Sequence, residues 1–457
     1  MTANYIGKPQ DRVDGRLKVT GKAVYSGDRH PNNLAYGYLL TSTVANGSIQ
    51  AMDTSAAEHA PGVIAVFTPF NPIKLYRPIE GGGSGELFSP LQDAKVLNYG
   101  QMIGLVVAES FEQARDASFL VKTRYSSQEP VASWEAGLAK AFTPNTVGGE
   151  PASIEFSANG VSSIDDAIQA SPVVVDETYT ELILHHNPME PHAVTATWDG
   201  DRLTIYDATQ GVIADHRNIA AVLGIEDDLV RVVCPYVGGG FGCKGSMWLF
   251  TPLTAAAARK LNRPVKTILT RPQMFTLVGH RPALTQRLVL GANRDGSLQA
   301  VKHDVKSTVS FSKVFVEAAA HRTSRLLYKS PNIQVSQTVV PFTVGGPTFM
   351  RAPGCAPGML ALECAMDELA IKLGMDPVAL RIKNDVDVYP GRDVPWSLKN
   401  LRECYEIGAE KFGWSDRNPE PGAVRDGDWS IGTGMATALY PAHRNPASVK
   451  VRFQADG

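Results

Sequence analysis

Apolar and polar positions follow one another along this chain in a pattern that predicts a mixture of short strands and helices. Apolar or alternating runs bounded by Gly, Pro and Asp are typical of strands. The predicted strands are residues 35–40, 63–67, 102–108, 194–198, 203–206, 230–233, 287–290, 298–302 and 448–454. Helical spacing and capping signals predict helices at residues 53–60, 110–117, 254–260, 359–373 and 401–409, with a short one after Asp376. The pattern predicts the α+β class.

Changes in composition divide the chain into four segments. They are a compact module, a polar linker rich in Pro and Gly, a second unit and an incomplete third, at residues 1–130, 131–163, 164–398 and 399–457. The glycine-rich composition of residues 81–85 predicts a flexible surface loop. The strand at 448–454 runs directly into a turn signal, so we expect its pairing partner in a further part of the polypeptide or in a second chain.

A glycine-rich stretch at residues 236–245, here called the glycine loop, is the strongest local signal for ligand binding. Its exposed amide groups suit an anion. The stretch 240–245 matches G-x-G-x-x-G, but no acidic residue follows between Gly245 and Asp295 to bind a ribose. A phosphate loop needs Gly before Lys244 and Ser or Thr after it, which this sequence lacks. A sharp turn from strand to helix is the remaining simple interpretation.

Charge and cysteine usage narrow the class of protein. The 457 residues carry 44 Lys and Arg against 46 Asp and Glu, a net charge of −2, which argues against a nucleic-acid-binding surface. The five cysteines form no C-x-x-C pair, which disfavours a zinc or iron–sulfur site held by this chain. No export signal and no run of 18 apolar residues is present, so we expect no membrane span.

Several motifs in a fixed order carry a family resemblance. They are residues 7–9, 12–15, 19–23, 189–193, 208–211, 238–244, 351–354, 366–370, 376–377 and 380–381, with Glu363 and Asn384. Together they resemble the molybdenum-cofactor-binding large subunit of the xanthine dehydrogenase/aldehyde oxidase family, in particular its bacterial aldehyde oxidoreductase type. The resemblance implies an α/β hammerhead-like domain at 1–130, a first molybdenum-cofactor-binding domain at 164–398, and the beginning of a second at 399–457.

The resemblance also implies a site built around the glycine loop. The cofactor-binding residues that it implies are Gln210, Gly239, Gly240, Phe241, Gly242 and Arg351. Of these, Gln210, Phe241 and Arg351 would lie near the metal without binding it directly, because the pterin dithiolene holds the molybdenum. Each has a simpler alternative, in which Gln210 caps a turn, Phe241 is a core residue and Arg351 is a surface cation beside a proline turn.

The implied function is that of a molybdenum-dependent oxidoreductase with water as oxygen source. Electrons would pass to iron–sulfur and FAD partner subunits, and the pterin would be molybdopterin, with its cytosine dinucleotide form as a candidate. The family's general-base glutamate is expected beyond Gly457, in the rest of the large subunit or a second chain, so the catalytic residue is unassigned. Glu150, in a similar Gly-Glu-Pro setting, precedes the other site motifs and is interpreted as a coincidence. The alternative is a non-catalytic or truncated cofactor-binding or assembly component.

The substrate class follows from departures from the purine-oxidising relatives. Those relatives carry a glutamate directly after the lysine of the glycine loop, where this chain has Gly245. They also carry an arginine upstream of a second loop, residues 345–354 here, and residues 317–321 of this chain lack it. We therefore expect an aldehyde or another small carbonyl or N-heterocyclic substrate rather than xanthine. We expect a cytoplasmic protein, with export beside a signal-bearing partner as the alternative.

Two further groups of residues have competing interpretations. The histidines 185, 186 and 192 are close enough in sequence to suggest a metal site, but adjacent strand residues face opposite sides, which favours structural roles. Cys243 and Cys355 lie beside the two loops. They could be redox-sensitive thiols, but the favoured interpretation is that they are small packing residues.

Overall fold

A computed structural model describes residues 7–81, 83–158, 160–312, 315–390, 394–441 and 446–455. Its helices, in chain order, are α1 (Gly15–Val19), α2 (Ser55–Glu58), α3 (Phe111–Ser118), α4 (Trp134–Leu138), α5 (Ile164–Gln169), α6 (Val212–Leu223), α7 (Phe250–Leu261), α8 (Arg271–Leu277), α9 (Arg322–Leu326), α10 (Cys355–Leu373), α11 (Pro377–Lys383) and α12 (Leu401–Phe412). No helix among these residues is long and apolar enough to cross a bilayer.

The strands complete a mixed α/β fold and confirm the predicted class. In chain order they are β1 (Ala35–Thr41), β2 (Gly47–Asp53), β3 (Val63–Phe67), β4 (Lys95–Val96), β5 (Met102–Ala108), β6 (Lys122–Ser127), β7 (Thr146–Val147), β8 (Glu150–Pro151), β9 (Ser153–Phe156), β10 (Val173–Glu181), β11 (Ala193–Asp199), β12 (Arg202–Asp207), β13 (Val230–Val233), β14 (Val265–Ile268), β15 (Leu284–Ala292), β16 (Leu298–Ser310), β17 (Asn332–Phe342), β18 (Val388–Tyr389), β19 (Val394–Pro395), β20 (Arg425–Asp426) and β21 (Trp429–Ser430).

A seven-stranded sheet crosses the predicted boundary at residue 130. Its order is β13-β12-β11-β14-β1-β5-β3, so strands from both sides of the boundary belong to one sheet. The joint is the parallel pairing of β1 with β14, in which Ala35 lies opposite Val265. Helices α6 and α7 pack on this sheet, and Leu253, Ile219 and Leu105 belong to its apolar core. The four-segment division stays a prediction.

The second large sheet has five strands, in the order β10-β15-β16-β17-β9. Helix α10 covers one face, and its predicted apolar positions Leu362, Met366 and Leu369 are buried in the core there. Strand β9 comes from the predicted linker and pairs with β17, so this segment wraps along the sheet edge.

One prediction differs from the structure. Residues 83–85 are not a surface loop, because Ser84 is buried and the Gly85 amide donates to the carbonyl of Met247 at 2.7 Å; Gly82 lies outside the described residues. The predicted strand at 448–454 has no pairing partner among the described residues, and Phe453 is 90% exposed; that its partner lies in a further part of the polypeptide or in a second chain stays a prediction. Alternation predicts a strand only where a neighbouring strand supplies hydrogen bonds, and no described residue does so here.

Candidate cofactor site

Two loops meet at a cavity of about 550 Å³. The glycine loop leaves β13 at the edge of the seven-stranded sheet, and residues 345–354, here called the second loop, lead into α10. The cavity is lined by Gln210, Phe241, Gly242, Phe349, Met350, Arg351, Ala352, Pro353 and Tyr440. The sequence-predicted residues Gln210, Phe241, Gly242 and Arg351 are thus brought together at one surface, whereas Gly239 and Gly240 lie in the loop behind it.

Glycine is required where the two loops touch. Gly242 has φ +112°, and a Cβ there would lie 2.1 Å from the carbonyl oxygen of Phe349. A Cβ on Gly240 would lie 2.4 Å from Oε1 of Gln210. Both distances are far below van der Waals contact, so a side chain at Gly242 would push the two loops apart and one at Gly240 would displace the side chain of Gln210.

Gln210 is fixed to the glycine loop by two hydrogen bonds. Its side-chain Oε1 accepts from the backbone amide of Gly242 at 3.0 Å, and its backbone N–H donates to the carbonyl of Lys244 at 2.7 Å. With Oε1 engaged in this way, the Nε2 group is the donor that remains for a ligand in the cavity.

Phe241 is displayed toward the cavity and is not a core residue. Its φ of +54° is uncommon for a residue with a side chain, and the residue is 45% exposed. Its carbonyl accepts from the Arg351 amide at 2.9 Å, so the same residue that lines the cavity ties the glycine loop to the second loop. Strained backbone of this kind is concentrated at functional sites.

A buried ion pair supports the glycine loop from behind. The Nζ of Lys244 donates to the Glu190 carboxylate at 2.7 Å and to its carbonyl at 3.0 Å, and the lysine side chain is fully buried. The same carboxylate accepts from the Gly238 amide at 2.7 Å. In the sequence, Lys244 and Glu190 are part of the motifs that carry the family resemblance. In the structure, their contacts support the glycine loop.

A buried carboxyl pair behind Gln210 is not apparent from the sequence. Asp207 ends β12 and Asp215 lies in the first turn of α6. Burial raises the pKa of Asp215 to about 7, opposed by a hydrogen bond from Thr209. Burial, and then the charge of Asp215, raise the pKa of Asp207. Because neither residue belongs to a recognisable motif and burial is what raises their pKa values, only the fold could reveal them.

The remaining candidates have structural contacts. Glu150 pairs with Arg322 and Arg325, each at 2.7 Å. Within the part of the chain that the structure describes, no cluster of three or more His, Cys, Asp and Glu side chains is arranged to hold a metal. His192 is buried, which lowers its pKa to about 3, and its Nε2 lies 3.4 Å from the Cys243 carbonyl.

The donor set fits an anionic organic cofactor that brings its own metal ligands. Arg351 is exposed at the cavity, and no carboxylate among the described residues forms an ion pair with its guanidinium. Gln210 adds a neutral donor, Gly240 leaves room for its side chain, and Gly242 allows close approach of the two loops. A cation, an amide donor and a space held open by glycines suit phosphate or polar pterin groups.

Comparison with known families agrees with this arrangement. The family model of the molybdopterin cofactor-binding domain matches residues 148–385. The model of the aldehyde oxidase and xanthine dehydrogenase a/b hammerhead domain matches residues 20–129.

Similar curated proteins are molybdenum-binding subunits. The chain is 38% identical over 455 residues to the aldehyde oxidoreductase molybdenum-binding subunit PaoC of Escherichia coli (strain K12), covering 99% of this chain. It is 28% identical over 458 residues, 96% of this chain, to the putative xanthine dehydrogenase molybdenum-binding subunit XdhA of the same strain. The chain spans 60% of the length of each of these relatives.

Solved structures share the fold. Aldehyde oxidoreductase from Desulfovibrio gigas superposes with a TM-score of 0.76 at 26% identity, covering 88% of this chain and 46% of that one. Quinoline 2-oxidoreductase from Pseudomonas putida 86 superposes with a TM-score of 0.75 at 21% identity, covering 88% of this chain and 54% of that one, which is evidence for the fold alone. The chain belongs to the aldehyde oxidase and xanthine dehydrogenase family and contains its molybdopterin cofactor-binding domain.

Proposed function

We propose that this chain is the molybdenum-cofactor-binding part of an oxidoreductase that hydroxylates an aldehyde or a related small carbonyl or N-heterocyclic substrate. The observation that carries the proposal is the meeting of Gln210, Phe241 and Arg351 at one cavity between two loops. Similarity to a subunit described as an aldehyde oxidoreductase supports the same reaction class. When bound, the molybdenum cofactor supplies the oxidation chemistry, with water as oxygen source.

The chain's own residues bind and orient. Gln210 would donate from Nε2 to an oxygen at the metal, since its Oε1 is engaged by the Gly242 amide. Arg351 would bind an anionic group of the cofactor with its guanidinium. Phe241 and Phe349, both half-exposed at the cavity, would exclude water and strengthen those polar contacts. Gly239, Gly240 and Gly242 would let the backbone approach the cofactor.

The cavity favours an uncharged substrate. Apart from Arg351 its lining is apolar or neutral. Gly245, where purine-oxidising relatives carry a glutamate, offers no charged group to orient a purine, and a site without matching polar groups discriminates against such a ligand. An aldehyde needs no such contact.

Electron transfer would take place outside the described residues. The sequence contains no C-x-x-C pair and the described residues contain no metal-holding cluster, so we assign the iron–sulfur clusters and FAD to partner subunits. Arg351 would serve molybdopterin or its cytosine dinucleotide form, since both present phosphate.

The test uses the complete enzyme purified with its partner proteins. We expect bound molybdenum and dye-linked oxidation of an aldehyde, with far slower oxidation of xanthine. Gln210→Ala should lower kcat for the aldehyde by about 10²-fold, the typical effect of removing one oriented donor. The control Gln50→Ala, an exposed glutamine on β2, should leave kcat unchanged.

Two results would contradict the proposal. Molybdenum absent from the complete enzyme would exclude the cofactor-binding function. Molybdenum present without turnover of any aldehyde or N-heterocycle would indicate a non-catalytic cofactor-binding component instead.

A further inference from the structure

A buried arginine lies directly behind the second loop. Arg281 precedes β15, and its side chain is 5% exposed. Its Nη2 donates to the carbonyl oxygen of Met350 at 3.1 Å and to that of Arg351 at 2.6 Å. Both acceptors are backbone atoms of the cavity lining, so Arg281 contacts the site wall from the side opposite the cavity.

Two buried carboxylates flank this guanidinium. Its Nη1 lies 3.6 Å from Oε1 of Glu181, at the end of β10, and its Nε lies 4.0 Å from Oε2 of Glu317. Glu317 in turn accepts from the Gly354 amide through Oε1 at 2.6 Å. The charged cluster therefore holds the second loop at both ends of the segment 350–354.

The same loop is held at Phe349 by a third side chain. Nε2 of His186 lies 2.6 Å from the Phe349 carbonyl, the same oxygen that approaches the space beside Gly242. Three successive carbonyls, of residues 349, 350 and 351, are thus bound by side-chain donors. Such a run leaves the loop little freedom to change the direction in which Arg351 enters the cavity.

General fold stability is a poor explanation for this cluster. Burying an arginine between two carboxylates carries a large desolvation cost, and apolar residues of similar volume often stabilise a core as well or better. An apolar residue, however, would leave the carbonyls of Met350 and Arg351 without donors, and a lysine cannot reproduce the planar fork of a guanidinium.

We infer that Arg281, oriented by Glu181 and Glu317, is a positioning residue that fixes the backbone of the second loop and so sets the placement of Arg351 at the cofactor. The inference rests on the proposed function for its link to the cofactor. The contacts of Arg281 with the loop do not depend on it.

The test compares Arg281→Met and Arg281→Lys with Arg287→Met. Arg287 lies on β15 and pairs with Asp176 at 2.7 Å, but its side chain is 52% exposed and it contacts no carbonyl of the loop. Amide hydrogen exchange is measured in the complete enzyme at Arg351 and Gly354, whose amides donate to Phe241 and Glu317, and across β16 as a reference. Molybdenum content is measured on the same preparations.

In Arg281→Met the amides of Arg351 and Gly354 should exchange at least about tenfold faster, the effect of losing charge-assisted hydrogen bonds, while β16 stays protected. Molybdenum content should fall in parallel. Arg281→Lys should be intermediate, and it provides the comparison if the methionine variant does not fold. Arg287→Met should match the wild type in both measurements.

Equal exchange and equal molybdenum in the Arg281 and Arg287 variants would overturn the inference. So would faster exchange spread evenly over β16 and the loop, because that is the result of lost global stability alone. A wild-type enzyme without molybdenum would overturn the proposed function, and the exchange rates would still decide whether Arg281 holds the loop.

Discussion

Single residues of this site act mainly on the backbone of two loops. Lys244 was a departure from a phosphate-loop pattern in the sequence, and in the structure its ammonium group is buried against Glu190 instead of facing a ligand. Arg351 remains exposed at the cavity, and the side-chain Nε2 of Gln210 remains available there as a hydrogen-bond donor. Residue type alone therefore did not separate the cation that supports the loop from the cation available to a cofactor.

Glu317 is expected to make stability depend on pH. Burial raises its pKa from the ordinary 4.5 to about 7, against the opposing effect of Arg281. The unfolded chain then releases this proton at lower pH than the folded protein, so the contribution of Glu317 to stability falls as pH rises from 4.5 toward 7. Over that range the loss is about 3 kcal/mol.

Glu317→Gln should remove this dependence, because the amide keeps an acceptor for Gly354 and does not titrate. Denaturant unfolding at several pH values measures the difference. The stability of the variant relative to the wild type should rise between pH 4.5 and pH 7. A constant difference across that interval would mean that Glu317 titrates normally.

At the scale of elements, local patterning predicted most helices and strands. The α10 helix was predicted from its apolar spacing and from Gly374, which adopts the left-handed conformation at its C-terminus. The short helix α11 was predicted from Asp376, whose side chain accepts from the amides of Val378 and Ala379. These signals are local, so the sequence contains them.

Long-range partners could not be predicted in the same way. Residues 83–85 read as a flexible loop because glycines predominate, yet Gly85 is glycine since a Cβ would lie 2.2 Å from the ring of Trp248. The stretch 448–454 has the local pattern of a strand, but no described residue pairs with it. The contact that fixes Gly85 is distant in sequence, so local composition could not predict it.

The α10 core face should tolerate truncation poorly. Leu362 is 1% exposed and packs into the core under the five-stranded sheet, so Leu362→Ala should cost about 2–5 kcal/mol through lost burial and a residual cavity. Leu360 on the same helix is 43% exposed, and Leu360→Ala should cost less than about 1 kcal/mol. Chemical denaturation of both variants tests this, and equal costs would contradict the placement of the helix.

At the scale of the whole molecule, the site depends on how two sheets and their connections are assembled. The family resemblance predicted which residues meet, since it supplied the order of motifs along nearly the whole chain. It did not predict the shared seven-stranded sheet, the buried Asp207 and Asp215, or the Arg281 cluster. The sheet and the Arg281 cluster join residues far apart in sequence, and the two aspartates become unusual only through burial, so none of these features has a motif of its own.

Arg263 is expected to secure the joint between the first segment and the rest of the shared sheet. Its guanidinium binds both carboxylate oxygens of Glu109, at 2.9 and 3.0 Å, and the carbonyls of Asn33 and Leu34 at 3.0 and 3.2 Å. Arg263→Ala should lower the free energy of unfolding by about 1–2 kcal/mol, mostly through the carbonyls, because Glu109 is solvent-exposed.

The matched control is Arg115→Ala, which removes an exposed pair with Asp116 within one helix. It should change stability by less than about 0.5 kcal/mol. Denaturant unfolding compares the two variants, and equal effects would show that the joint does not depend on Arg263.

The central claim is that the glycine loop and the second loop together form the wall that holds the molybdenum cofactor. It is tested most directly by the molybdenum content of the complete enzyme carrying Gly242→Ala or Gly245→Ala. A Cβ at Gly242 would lie 2.1 Å from the Phe349 carbonyl, whereas a Cβ at Gly245 meets nothing within 4 Å. We predict that Gly242→Ala lowers bound molybdenum at least about fivefold, the effect of about 1–3 kcal/mol of strain, and that Gly245→Ala keeps the wild-type content. Equal molybdenum in the two variants, with both folded, would contradict the account.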